Sequence, residues 1–273
     1  MEKSGTIVYI GTEDNLKSCL GLSSILEDGW DVKLVIAYDS HSISKAQDSL
    51  LHSVKQSIIK VIRYQPKLYN TIRTIFNKHD KIEYKRMGDL CKLFDVPYIS
   101  TTDKTLLSVR DQINANLPDI ILSNGWMFKI TYDIFTIARI IALNCHSSYL
   151  PEYRGGNVTF APLINQEKQS GVTVHQLVEN FDAGLILAQE RVDIAPNETP
   201  ETLNLKRAKI TGEVLIKALE IAGFENLYKP NPISPFYFRC NYKTYKRYKR
   251  INNFRKFFGL PIKRYEPRER YDI

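Results

Sequence analysis

The 273-residue sequence predicts an α/β fold: a doubly wound, mostly parallel sheet with an antiparallel strand pair late in the core and a short basic appendage at the C-terminus. Three observations predict it. Short apolar, β-branched runs alternate with helical patterns through the first half of the chain, as in successive βαβ units. Two later strand-like runs lie too close together for a helical crossover, so they pair antiparallel. The net positive charge comes from the tail: from Arg239 onward there are twelve Lys/Arg and three Asp/Glu, a balance of +9, against −1 over residues 1–238.

The elements follow in order. Thr6-Ile7-Val8-Tyr9-Ile10 is a strand ending at Gly11, Asp14 to Glu27 is helical up to Gly29, and Trp30 to Ala37 makes a second strand. Residues 42–95 read as a helical insertion broken near Pro66 and Gly88. A strand at Val96-Pro97-Tyr98-Ile99, a helix over 103–116 and strands at 119–123 and 140–143 come next. Right-handed crossovers between such strands give a Rossmann-like sheet that collects ligands at the strands' carboxyl ends. The strands 171–178 and 185–194 form the antiparallel pair. A last core helix starts after Thr199 as N-cap, with Pro200 in its first turn and Glu201 favourable to its dipole, and ends at Gly223. Pro230, Pro232 and Pro235 mark a linker, dividing the chain into a domain over 1–225 and an appendage over 226–273.

Three polar residues stand out against this frame. Side chains alternate along a strand, so Asn144 and His146 point the same way at the exit of the run Ile140-Ile141-Ala142-Leu143. Cys145, between them, points to the opposite face and reads as a small core residue. Asp182 sits in the turn Phe181-Asp182-Ala183-Gly184, ahead of the strand-like Leu185-Ile186-Leu187-Ala188, so its carboxylate can reach the same strand ends. An amide donor, an imidazole and a carboxylate in one small volume could stabilise an oxyanion, move a proton and orient the base. His175 continues the alternation of Val172 and Val174 and faces either the core or the cleft. Arg154, before Gly155-Gly156, either shapes the loop over the cleft or is solvated. The turn Gly11-Thr12-Glu13-Asp14-Asn15 lacks the repeated glycines of a dinucleotide fingerprint, and its two acids argue against NAD.

The block Asn144-Cys145-His146-Ser147-Ser148-Tyr149-Leu150-Pro151, with Gly171-Val172-Thr173-Val174-His175 and the Asp182 turn, resembles the folate-dependent formyltransferases over residues 118–194. The family usually reads Asn-x-His-Pro-Ser-Leu-Leu-Pro; here Ser147 replaces the proline and Tyr149 a leucine, and neither departure touches the trio. The resemblance implies that Asn144, His146 and Asp182 are catalytic. It implies 10-formyltetrahydrofolate as co-substrate, with Trp126, Met127, Phe128, Ile130 and Asn180 as the cofactor-contacting positions, mostly through main-chain groups. The implied reaction has Asn144 and protonated His146 stabilising the tetrahedral oxyanion while Asp182 holds His146. No metal is expected, since no ligands recur at zinc spacing. Among family members the chain looks most like the sugar N-formyltransferases, which act on a nucleotide-linked amino-dideoxy sugar destined for surface polysaccharide. A glycinamide ribonucleotide or ornithine-type acceptor, and a catalytically silent binding module, stay open.

Composition is that of an ordinary globular protein, 43% hydrophobic and 25% charged. Four scattered cysteines, a start without signal-peptide pattern and no long apolar run lead to the expectation of a cytoplasmic protein. The tail stretch Tyr242 to Arg250 interleaves aromatics with cations, which suits an anionic partner. The alternative is a solvated helix with Tyr242, Tyr245 and Phe254 packed inward, and that is the reading taken. No nucleic-acid partner is expected, a membrane surface is kept as the alternative for the tail, and a homodimer formed through the tail's aromatics is expected. A nucleotide-sugar pyrophosphate would draw its cations from the 42–95 stretch or the tail, because the core is nearly neutral.

Overall fold

The computed structural model describes residues 5–39, 85–156, 158–222, 229–231 and 241–265. Its centre is a seven-stranded sheet in the order β3-β2-β1-β4-β5-β6-β7. The strands are β1 (Thr6–Thr12), β2 (Asp31–Tyr38), β3 (Tyr98–Thr101), β4 (Ile120–Asn124), β5 (Ile141–His146), β6 (Gln169–Gln176) and β7 (Ile186–Asp193). β1 to β5 are mutually parallel, and β6 runs antiparallel to both β5 and β7. Strand order reverses direction across β1 and β4, and in such sheets the crevice at the strands' carboxyl ends takes the ligand.

Both sheet faces are covered, which is why the central strands are apolar throughout rather than alternating. Ile7, Tyr9, Leu122, Leu143 and Cys145 face α1 (Leu16–Glu27), α2 (Met87–Phe94) and α6 (Pro200–Ile221). Val8, Ile10, Ile121 and Ala142 face the other way, against Ile113 of α3 (Arg110–Ala115) and Ile134 of α4 (Tyr132–Phe135). The N-cap read at Thr199 is present as a full capping box with Thr202. Gly223, read as its stop, and the linker residues Pro232 and Pro235 lie outside the described residues, as does the insertion up to residue 84. A helix starts at Met87, so the break expected near Gly88 falls at its first turn.

Three expectations need correction. The helix read over 103–116 begins late: the Asp103 carboxylate captures the N–H groups of Thr105 and Ser108, and Leu106 takes a left-handed φ of 64°. A 3-10 turn at Leu107–Val109 and the short α3 follow. Second, α4 and α5 (Phe160–Ile164) have no counterpart in the sequence reading, being too short to show a helical period. Third, the tail does form a helix, α7 (Tyr242–Phe257), but only Tyr245 of the three aromatics packs inward; Tyr242 and Phe254 are exposed. Tyr245 joins Tyr265, Tyr153, Ala161 and Ile164 in a small separate core over α5. Among the described residues no helix is long and apolar enough to cross a membrane.

Candidate active site

Strand register builds the site. β5 pairs antiparallel with β6 so that Asn144 lies opposite His175 and His146 opposite Thr173. Residues directly opposite share a face, and Asn144 Nδ2 accordingly lies 3.2 Å from His175 Nε2. His175 Nδ1 is 2.8 Å from the Gln176 carbonyl, which can only accept, so in the neutral ring Nδ1 carries the hydrogen and Nε2 accepts from Asn144. One Asn144 amide hydrogen is thereby tied down and the other remains for a ligand. The alternatives left for His175 resolve in favour of the cleft wall.

Asp182 reaches the same place from the β6–β7 turn. A Cβ on Gly184 would lie 2.0 Å from the Gln176 carbonyl oxygen, so glycine is required for the turn to fold back this tightly. Gly155 N–H donates to Asp182 Oδ2 at 2.9 Å, and Asn231 Nδ2 donates to the carbonyls of Asp182 and Gly184 at 2.7 and 3.2 Å. Asp182 Oδ1 then stands 3.5 Å from His146 Nδ1 and 3.4 Å from His175 Nε2. These are ion-pair separations rather than short hydrogen bonds. His146 Nε2 lies 3.2 Å from the Tyr153 carbonyl. Arg154 donates to the Phe181 carbonyl at 2.6 Å, joining the 147–156 loop to the Asp182 turn.

Electrostatics assign the resting charges. Burial raises the Asp182 carboxyl, but the charge that His146 and His175 carry when protonated, together with the Gly155 N–H, more than offsets it and brings the group below the usual carboxylate range. Burial pushes His146 below the ordinary imidazole value against the opposing pull of Asp182, so the ring rests neutral. Its two nitrogens face acceptors, the Tyr153 carbonyl and the Asp182 carboxylate. Burial raises the Cys145 thiol, with Lys17 opposing, which fits a core residue rather than a nucleophile.

Asn144, His146, His175 and Asp182 line a cavity of about 770 Å³. Trp126, Met127, Phe128 and Ile130 line it too, after Gly125, whose φ of 80° turns the chain out of β4. Trp126 and Ile130 bury their side chains in the core beneath, whereas Met127 is 68% exposed. Asn180 is exposed and is not among the lining residues, although Glu179 and Phe181 beside it are. Two cations the sequence reading passed over also line the cavity, Lys17 and Arg207. Lys17 Nζ donates to the Cys145 carbonyl at 2.6 Å and to Ser147 Oγ at 3.0 Å. Among the described residues no group of three His, Cys, Asp or Glu side chains could hold a metal ion.

The formyl transferase family model matches residues 34–219. A phosphoribosylglycinamide formyltransferase from Bacillus halodurans superposes with a TM-score of 0.56 at 19% identity, over 82% of this chain and 98% of that one. WlaRD, a sugar 3N-formyl transferase solved with dTDP and 5-N-formyl-THF, gives 0.52 at 17% identity, over 86% and 69%. A formyltetrahydrofolate deformylase from Pseudomonas syringae pv. tomato gives 0.56 at 15%, over 80% and 61%. With the family match spanning well over half its length, the chain belongs to the formyl transferase family and is a folate-dependent formyl transferase.

Proposed function

We propose that the protein transfers the formyl group of 10-formyltetrahydrofolate to the amine of a nucleotide-linked amino-dideoxy sugar, with Asn144, His146 and Asp182 as the catalytic residues. The observation that carries the chemistry is the convergence of an amide, a neutral imidazole and an ionised carboxylate at one end of a single cavity. The neutral acceptor amine attacks the formyl carbon, and the carbonyl electron pair moves onto oxygen, where the free Asn144 amide hydrogen meets it. The amine's proton passes to His146, and the imidazolium is stabilised across 3.5 Å by Asp182. Collapse of the intermediate breaks the bond to the folate nitrogen, which leaves with the proton from His146.

On this reading the 126–130 wall holds the pterin through its backbone, with Asn180 at the rim. Residues 1–225 form the catalytic domain and 226–273 the appendage, whose exposed Phe254, Phe257 and Phe258 supply the dimer contact. The sugar acceptor is favoured by the likeness to WlaRD, solved with dTDP, and by the tail beyond residue 219, where the family match ends, whose Tyr245 and Tyr265 pack against Tyr153 and α5. The test follows tetrahydrofolate release with dTDP-, UDP- and GDP-linked 3-amino and 4-amino dideoxy sugars, beside glycinamide ribonucleotide and N-hydroxyornithine. Turnover of either of the last two with every nucleotide sugar inert overturns the sugar assignment. Release without any acceptor means hydrolysis, and no release at all means a binding module.

A further inference from the structure

Arg207 is 1% exposed, yet among the described residues no carboxylate pairs with it. Its Nη1 donates to Thr159 Oγ1 at 3.1 Å, its Nη2 to Ser170 Oγ, and its Nε is buried with no partner. Neutral hydroxyls return little of what a guanidinium loses on leaving water, so a buried cation of this kind calls for an anion. Arg207 is not sealed in the core. With Asn204 and Ala208, three residues before and one after, it forms the strip of α6 that lines the active-site cavity. Lys17 lines the same cavity from the first turn of α1 and likewise makes no ion pair among the described residues; its contacts are the Cys145 carbonyl and Ser147. Burial and the Arg207 charge lower its proton affinity, while Asp182 opposes them. Burial also brings Arg207 down, to about 9, so it stays charged at pH 7.

The other candidate for receiving an anion, the turn before α1, is occupied. Glu13 accepts from Tyr98 Oη at 2.6 Å and from Gly88 N–H at 3.3 Å, and Asp14 pairs with Arg86 at 2.6 Å, which leaves negative charge at that helix start. The cations of α7, expected to serve a pyrophosphate, do not line the cavity. We propose that Lys17 and Arg207 form a phosphoryl subsite of the cavity, holding the phosphate oxygens of the acceptor. The Arg207 charge at the cavity wall, which no carboxylate offsets among the described residues, attracts the phosphate oxygens, and Lys17 adds a second point charge. This rests on the formyl-transfer reading for the identity of the ligand, and it adds core cations to the two sources expected from the sequence, the 42–95 stretch and the tail.

The experiment measures binding of inorganic pyrophosphate, dTDP and 5-formyltetrahydrofolate by calorimetry, with thermal melts, on the parent, Arg207→Met and Arg207→Lys. The parent binds pyrophosphate and dTDP in competition and melts higher with either. Arg207→Met loses about 10- to 100-fold in affinity for both, the loss expected when a charge-assisted contact goes. It melts no lower than the ligand-free parent, because a buried uncompensated charge has been removed, and its affinity for 5-formyltetrahydrofolate is unchanged. Arg207→Lys keeps the charge on a shorter, differently shaped head and gives an intermediate affinity, a comparison that stands even if the methionine variant folds poorly. Equal binding of pyrophosphate by all three proteins overturns the subsite, as does displacement of pyrophosphate by 5-formyltetrahydrofolate, which would give the cations to the folate carboxylates. A parent that binds no 5-formyltetrahydrofolate but keeps Arg207-dependent pyrophosphate binding instead refutes the formyl-transfer reading and leaves the subsite standing.

Discussion

Asp182→Asn separates charge from shape at the centre of the site. The amide keeps the volume, and its oxygen can still accept from Gly155 N–H, so the turn braced by Asn231 stays in place. What disappears is the negative charge 3.5 Å from His146 Nδ1. At an effective dielectric constant of about 20, that charge attracts an imidazolium by roughly 4–5 kcal/mol. The resting ring is neutral, so the attraction is gained only as the proton moves, and losing it raises the barrier. At about 1.4 kcal/mol per tenfold the rate falls by ~10³, and residual screening widens the range to ~10²–10⁴. The assay is steady-state release of tetrahydrofolate, with 5-formyltetrahydrofolate binding and a thermal melt as controls for folding. Turnover within tenfold of the parent, with both controls intact, refutes the role given to Asp182.

Four further outcomes are expected. Carbon-13 NMR of the His146 ring should show it titrating below pH 6.5 in the parent and lower still in Asp182→Asn, because Asp182 pulls it upward; a rise in the variant contradicts the assignment. The same depressed value means that the unfolded chain takes up His146's proton first, so this contribution to stability is complete above about pH 6.5 and is lost as pH falls from there towards the folded value. Melts of His146→Gln should lack that step. Gly184→Ala forces a methyl group to within 2.0 Å of the Gln176 carbonyl, and should cost about 1–3 kcal/mol in a thermal melt while lowering kcat by displacing Asp182. Asn165→Ala removes the buried amide that donates to Tyr153 Oη at 3.2 Å and accepts from Tyr265 N–H at 2.7 Å. It should cost about 1–3 kcal/mol and slow turnover, since the Tyr153 carbonyl faces His146; unchanged kcat in a folded variant would separate the tail from the site.

Some of this was local, and the sequence alone determined it. Strand–helix alternation gave the doubly wound sheet, Thr199 and Pro200 marked the start of α6, and period two put Asn144 and His146 on one face of β5 with Cys145 behind. The Asp182 turn with Gly184 was legible for the same reason, since a carboxylate followed by a required glycine is a feature of a few consecutive residues. The rest depended on which distant residues meet. His175 had two possible faces until the β5–β6 register set it opposite Asn144. Arg207 is one of several basic residues along α6, and only the packing of that helix against the sheet shows that this one is buried at the cavity with hydroxyls for partners. The reversal of β6 relative to β5, the brace from Asn231 and the choice of Tyr245 over Tyr242 and Phe254 as the tail's anchor are of the same kind. Periodicity and turn chemistry act over neighbouring residues, whereas burial and ionisation follow from contacts a hundred residues apart, such as Asn165 with Tyr265, that no local pattern encodes.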